Sequence, residues 1–126
     1  MVERKSIEID GFRHANPIPN GSRVGKFVAT GVIMGRDGDG TYPPTLDGQC
    51  ALMFRHVQSI IEAAGGTTGN ILKLNVYMKD PSDRSAVNAE WVRMFPDPHA
   101  RPARHTYKDV SDSPALVQCD FLAVLD

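Results

Sequence analysis

The chain has 126 residues, enough for one domain with a single moderate core, so 1–126 is read as one unit. With 14 basic against 15 acidic side chains the formal charge is -1, which provides no long-range field to draw in nucleic acid or an anionic membrane. No run approaches the roughly 20 apolar residues of a membrane span. The first residues lack the apolar core of a signal peptide, and Cys50 and Cys119 lie far apart within apolar patterns, so a reducing cytoplasm is the expected setting.

Ser6 to Ile9 places Ile7 and Ile9 on one side of a short strand. From Gly11 to Gly25 the chain is too rich in proline for a helix, with Asn16-Pro17-Ile18-Pro19 at its centre, and reads as an extended loop or edge. Lys26 to Met34 is rich in β-formers, and Gly31 in its middle marks a bulge, a kink or a close backbone approach. The stretch Gly35-Arg36-Asp37-Gly38-Asp39-Gly40 superficially matches a phosphate or calcium loop. A phosphate loop feeds a helix N-terminus, whereas Tyr42-Pro43-Pro44 follows here, and the closing Glu of a calcium loop is missing; the stretch reads as a plain hairpin or surface turn.

Between Thr45 and Ala64, the residues Cys50, Phe54, Val57, Ile61 and Ala64 recur at three- and four-residue steps, with Arg55, Gln58 and Glu62 opposite. That periodicity predicts an amphipathic helix, capped by Thr45 or Asp47 and stopped by Gly65-Gly66. His56, beside the apolar stripe, is expected at the surface or boundary. Ile71 to Lys79 alternates, with Leu72, Leu74, Val76 and Met78 on one face and Lys73, Asn75, Tyr77 and Lys79 on the other, as in a half-buried strand. A second helix is predicted from Asp83 to Phe95, with Ser82 as its N-cap and Val87, Trp91, Met94 and Phe95 as its buried stripe. Asn88 has poor helix propensity, which a hydrogen bond from its side chain to a neighbouring segment would offset.

Arg101-Pro102-Ala103-Arg104 leads into a strand predicted from His105 to Val110. Alternation sets Arg104, Thr106 and Lys108 on one face and His105, Tyr107 and Asp109 on the other, so a structural role is expected for His105. A fork-shaped cation next to a hydroxyl is a natural receptor for a carboxylate; the alternatives are an internal acid partner or a solvated guanidinium. The last strand runs from Leu116 to Leu125, with Val117, Cys119, Phe121, Ala123 and Leu125 facing one way and Gln118, Asp120, Leu122 and Val124 the other. Taken alone, Gln118 and Asp120 read as solvated on the open side of a sheet.

This order of strands and helices is an α+β layout, one sheet with two helices on one face. Thr30-Gly31, the Gly65-Gly66 stop, Val76-Tyr77-Met78-Lys79-Asp80, Ala86-Val87-Asn88 followed by Phe95, and Arg101-Pro102-Ala103-Arg104 together resemble the Rid (reactive intermediate deaminase) family, also known as the YjgF or L-PSP endoribonuclease group, over about Val24 to Leu125. The resemblance implies a chorismate-mutase-like homotrimer with a central barrel and ligand clefts at the subunit boundaries. It also implies hydrolysis of an enamine or 2-imino acid to a 2-oxo acid and ammonia, with no metal or organic cofactor. Arg104 matches the family's carboxylate-binding arginine. Gly31, after Thr30, matches the position whose backbone N–H meets the same carboxylate, while Thr106 and Asn88 match positions that line the cleft.

Two departures accompany the match. The family's Gly-Pro-Tyr motif is here Asn16-Pro17-Ile18, without the aromatic hydroxyl, and its last-strand Glu aligns with Gln118, which holds water but takes no proton. Asp120 is the nearest base on that face. The resulting expectation is that Arg104 anchors a small carboxylate substrate, Gln118 orients a water and Asp120 takes its proton. A non-catalytic carboxylate-binding regulatory protein is the competing expectation. A ribonuclease is the third, disfavoured by the net charge and by His14, His56, His99 and His105 falling in no common motif.

Overall fold

Apolar residues at every second position build most of the sheet, and the computed structural model describes it for residues 3–126. The strands are β1 (Arg4–Ile7), β2 (Gly21–Val24), β3 (Phe27–Thr30), β4 (Ile33–Met34), β5 (Ile71–Met78), β6 (Ala103–Lys108) and β7 (Val117–Val124). They pair in the order β1-β2-β3-β7-β5-β6, with β4 also on β7. All pairs are antiparallel except β5 with β6, which the intervening helix leaves parallel. The helices are α1 (Leu46–Ala63) and α2 (Ser85–Met94), and among the described residues no helix is long and apolar enough to cross a membrane.

Helix α1 follows its apolar period. Met53, Val57, Ile60 and Ile61 are fully buried against Leu74, Val76 and Phe121 of the sheet, and each such side chain contributes roughly 1.5–3 kcal/mol. Thr45 caps the start by accepting the Gly48 N–H at 3.1 Å. At the other end Gly65 adopts φ +94, and the amides of Gly65 and Gly66 return to the carbonyls of Glu62 and Ile61 at 3.0 Å. This double closure needs a residue without a Cβ penalty at Gly65. The Gly35–Gly40 stretch is a surface turn as expected, but Gly35 itself has a packing role: a Cβ there would lie 2.0 Å from the Gln49 carbonyl oxygen of α1.

Several boundaries differ from the sequence reading, each for a local reason. Lys26 to Met34 is not one strand: five residues from Ala29 to Ile33 face four from Leu122 to Cys119, and Gly31 sits in the resulting bulge. The extended segment before it contains β2, paired on both sides. A register shift at Ile71/Lys73 turns Leu72 outward and Ile71 inward. Helix α2 begins at Ser85 with no side-chain cap; Ser82 bonds Asp80 instead, and Asp83 accepts the Ser85 N–H. His56 is buried rather than at the boundary, with Nε2 2.7 Å from the Arg36 carbonyl and its ring stacked on Phe12.

Candidate functional site

The parallel register of β5 and β6 sets Leu74 and Val76 beside Arg104 and Thr106, and Asn75 and Tyr77 beside His105 and Tyr107. Leu74 and Val76 are buried beneath the helices. Arg104 and Thr106 therefore project on the helix-covered side, at the edge strand of the sheet, and His105 and Tyr107 on the open side. Gln118 and Asp120 pair with Tyr77 and Asn75 and alternate with the buried Cys119 and Phe121, which places them on the open side as well. The three side chains expected to act together thus stand on opposite faces of one protomer.

On the helix side, Arg104 is held by α2. Its Nη2 donates to Asn88 Oδ1 at 2.8 Å, and its Cζ lies 5.0 Å from the centroid of the Trp91 ring, a cation–π contact. This is the side-chain bond that offsets the poor propensity of Asn88. Nη1 is buried with no acceptor, and among the described residues no carboxylate forms an ion pair with the guanidinium. Burial lowers the pKa of Arg104 from its ordinary value, and the Arg84 cation lowers it further; an arginine still keeps its charge. A buried donor without a partner is a cost that an incoming acceptor removes.

The open side carries a second polar cluster. Asp120 accepts from Asn75 Nδ2 at 2.9 Å and from the Tyr77 hydroxyl at 2.8 Å. Burial, and then the bond to Asp120, push the Tyr77 hydroxyl up to about 12, so it remains a donor at neutral pH. Gln118 donates its Nε2 to Asp109 at 2.9 Å, which leaves its carbonyl oxygen available, and Asp109 also faces Lys79 at 3.3 Å. His105 stacks on Tyr107 with centroids 4.0 Å apart, and Tyr107 on Tyr77 at 5.4 Å, consistent with a structural role for His105.

Thr30 and Gly31 are engaged by the fold. Thr30 Oγ1 accepts the Phe121 N–H at 2.9 Å, the amide that the bulge leaves without a ladder partner. The Gly31 N–H, expected to meet a carboxylate, donates to the Asn20 carbonyl at 3.0 Å. A Cβ at Gly31 would make only ordinary contacts, 3.8 Å from His14 Nε2. The segment without the aromatic residue, Asn16 to Pro19, walls a hollow of about 290 Å³ together with Ser6, Glu8 and His14. No group of three or more His, Cys, Asp or Glu side chains among the described residues is arranged to hold a metal ion.

Sequence reasoning misses four side chains in these clusters: Trp91, Arg84, Asn75 and Tyr77. The helical period puts Trp91 in the core stripe, yet it is only half buried and presents its ring to Arg104. Arg84, Asn88 and Trp91 fall at i, i+4 and i+7, a spacing that could have marked a common helix side. Asn75 and Tyr77 lie on the polar face of their strand, and only the pairing of β5 with β7 brings them to Asp120.

Residues 16–118 match the family model described as endoribonuclease L-PSP. A "RutC family protein" of Haemophilus influenzae is 38% identical over 73 residues, covering 57% of this chain and 56% of that protein. A "2-iminobutanoate/2-iminopropanoate deaminase" of Escherichia coli is 28% identical over 109 residues, covering 86% of this chain and 85% of that protein. The crystal structure of the E. coli YjgF gene product superposes with a TM-score of 0.85 at 26% identity, over 95% of this chain and 98% of that one. The two helices on a single mixed sheet are the chorismate-mutase-like arrangement anticipated from the sequence.

Proposed function

Because this chain belongs to the endoribonuclease L-PSP family, also known as the Rid family, we propose that it hydrolyses 2-imino or 2-enamino carboxylic acids to 2-oxo acids and ammonia, in a cleft shared between copies of the chain. The observation that supports this most is the Arg104 guanidinium, fixed by Asn88 and Trp91 yet free of any acid partner among the described residues. A substrate carboxylate supplies the missing acceptor through two charge-assisted bonds, once the guanidinium turns on its flexible stem. Placement of Arg104 on one face and Asp120 on the other is accommodated if the open face of one copy approaches the β6 edge of the next, as in the homotrimer that the resemblance implies.

The chemistry asks little of the protein. A protonated imine carbon is already electrophilic, and the carboxylate held by Arg104 fixes its orientation. Water adds to this carbon: the new C–O bond forms as the C=N π electrons move to nitrogen, and the proton lost by the water passes to the Asp120 carboxylate. The carbinolamine then collapses: its nitrogen takes the proton back from Asp120 and leaves as ammonia, while the hydroxyl gives its own proton to the freed carboxylate as the C=O bond closes. Gln118 orients the water through its free carbonyl oxygen, and Tyr77 holds Asp120 in place. This chemistry calls on no metal or organic cofactor.

One observation favours a binding protein without turnover: both Asp120 oxygens are already engaged as hydrogen-bond acceptors within the fold, by Asn75 and Tyr77. Initial rates with freshly generated 2-iminopropanoate and 2-iminobutanoate separate the two. Deaminase function predicts ammonia release well above the spontaneous rate; hydrolysis at the spontaneous rate, with 2-oxo acids still bound, supports the regulatory reading.

A further inference from the structure

The cation at this site is not alone. Arg84 stands immediately before α2, its carbonyl accepting the Asn88 N–H at 2.8 Å, so Arg84, Asn88 and Trp91 run along one side of the helix in successive turns. Asn88 and Trp91 are the two residues that touch Arg104. Arg84 therefore lies on the side of α2 that faces Arg104, one turn before Asn88. Its Nε is tied to the Pro81 carbonyl at 2.9 Å, which restrains the side chain without neutralising it.

Nearby acids are occupied elsewhere. Asp83 accepts from the amide and hydroxyl of Ser85, Asp80 from Ser82, and Glu90 pairs with Arg93. Among the described residues neither Arg84 nor Arg104 forms an ion pair. Lys108, four positions after Arg104 on the same strand face, acts instead on the Asp80 carboxylate, whose pKa it helps to lower. The repulsion between the two arginines is felt at Arg104, where the Arg84 charge adds to burial in lowering the pKa. Like charges held together without counter-ions are complementary to a ligand that brings more than one negative group.

We propose that the substrate is a dicarboxylate, a 2-imino or 2-enamino diacid whose carboxylate next to the imine carbon binds Arg104 and whose distal carboxylate binds Arg84. This rests on the deaminase reading for its chemistry but not for its recognition. The pair of arginines then selects by charge: a monoacid satisfies Arg104 alone and leaves Arg84 to water.

The test compares kcat/KM for 2-iminosuccinate and 2-iminoglutarate with that for 2-iminopropanoate, each generated in situ by an amino-acid oxidase, on the wild-type chain and on Arg84→Gln and Arg84→Lys. The expected result is a preference for at least one diacid of tenfold or more, a collapse of the diacid-to-monoacid ratio by at least tenfold in Arg84→Gln, and partial retention in Arg84→Lys. Equal kcat/KM for diacids and monoacid, or a ratio unmoved by Arg84→Gln, overturns the proposal. If no imine is turned over, the deaminase reading fails while the recognition remains decidable by calorimetry. A preference for 2-oxoglutarate or oxaloacetate over pyruvate, lost in Arg84→Gln, supports the paired arginines, and equal affinities overturn them.

Discussion

At the scale of single residues, recognition depends on what surrounds Arg104. Asn88 is the telling neighbour, because it holds the guanidinium with a neutral oxygen at 2.8 Å and leaves the charge uncompensated. Asn88→Asp would keep the shape and place an internal counter-ion on the fork. The expected outcome is a rise in KM on the order of tenfold or more with little change in thermal stability, since the substrate carboxylate then competes with a resident one; steady-state kinetics check it, and an unchanged KM counts against a carboxylate at this position. The Arg104 region was legible in the sequence because a strand alternates by two, which sets Arg104 and Thr106 apart from His105 before any coordinates. The partners of Arg104 were not, since Trp91 satisfies a buried helical stripe equally well, and the cation–π contact depends on how α2 crosses β6.

At the scale of elements, glycines with different surroundings give opposite expectations. Gly35 packs against the backbone of α1, so Gly35→Ala forces the turn away from the helix and should lower stability by about 1–3 kcal/mol in urea unfolding. Gly31→Ala meets only ordinary contacts and should change stability by less than about 1 kcal/mol. Gly31 stands out in the sequence as a site residue, while nothing there signals the Gly35 contact, which joins positions 14 residues apart. His56 connects α1 to the turn after β4 through the Arg36 carbonyl. Burial is the main influence on it and lowers its pKa from 6.5. The unfolded chain then binds more protons over this interval, so the neutral, buried ring contributes stability that is full above about pH 6.5 and is lost as pH falls through the lower folded value. His56→Gln should therefore flatten the stability profile just below pH 6.5, measured by denaturant midpoints at successive pH values. The helices and central strands were readable because their periods extend over many residues. The bulge at Gly31, the register shift that exposes Leu72 and the uncapped start of α2 were not, because each is decided by the neighbouring strand or turn.

At the scale of the whole molecule, the open side of the sheet turns from polar to apolar along β7. Phe27 is 69% exposed, Leu72 60% and Leu122 47%, around a hollow of about 340 Å³ that Val24 and Val124 also line. A contiguous apolar surface on a charged chain marks a contact face, and a trimer with these faces turned inward is the assembly we propose. Light scattering should give the mass of three 13.8 kDa chains. Leu122→Asp should release monomers and abolish turnover, because the Arg104 and Asp120 halves of the cleft would separate; an active monomer refutes the shared cleft. The most direct test of the whole account is calorimetric titration of a 2-oxo acid into the wild-type chain and Arg104→Ala, with circular dichroism confirming that both are folded. Loss of a charge-assisted pair worth about 1.5–3 kcal/mol predicts that Kd rises by roughly 10- to 100-fold in the variant. An unchanged Kd would contradict the assignment of Arg104 as the group that grips the carboxylate.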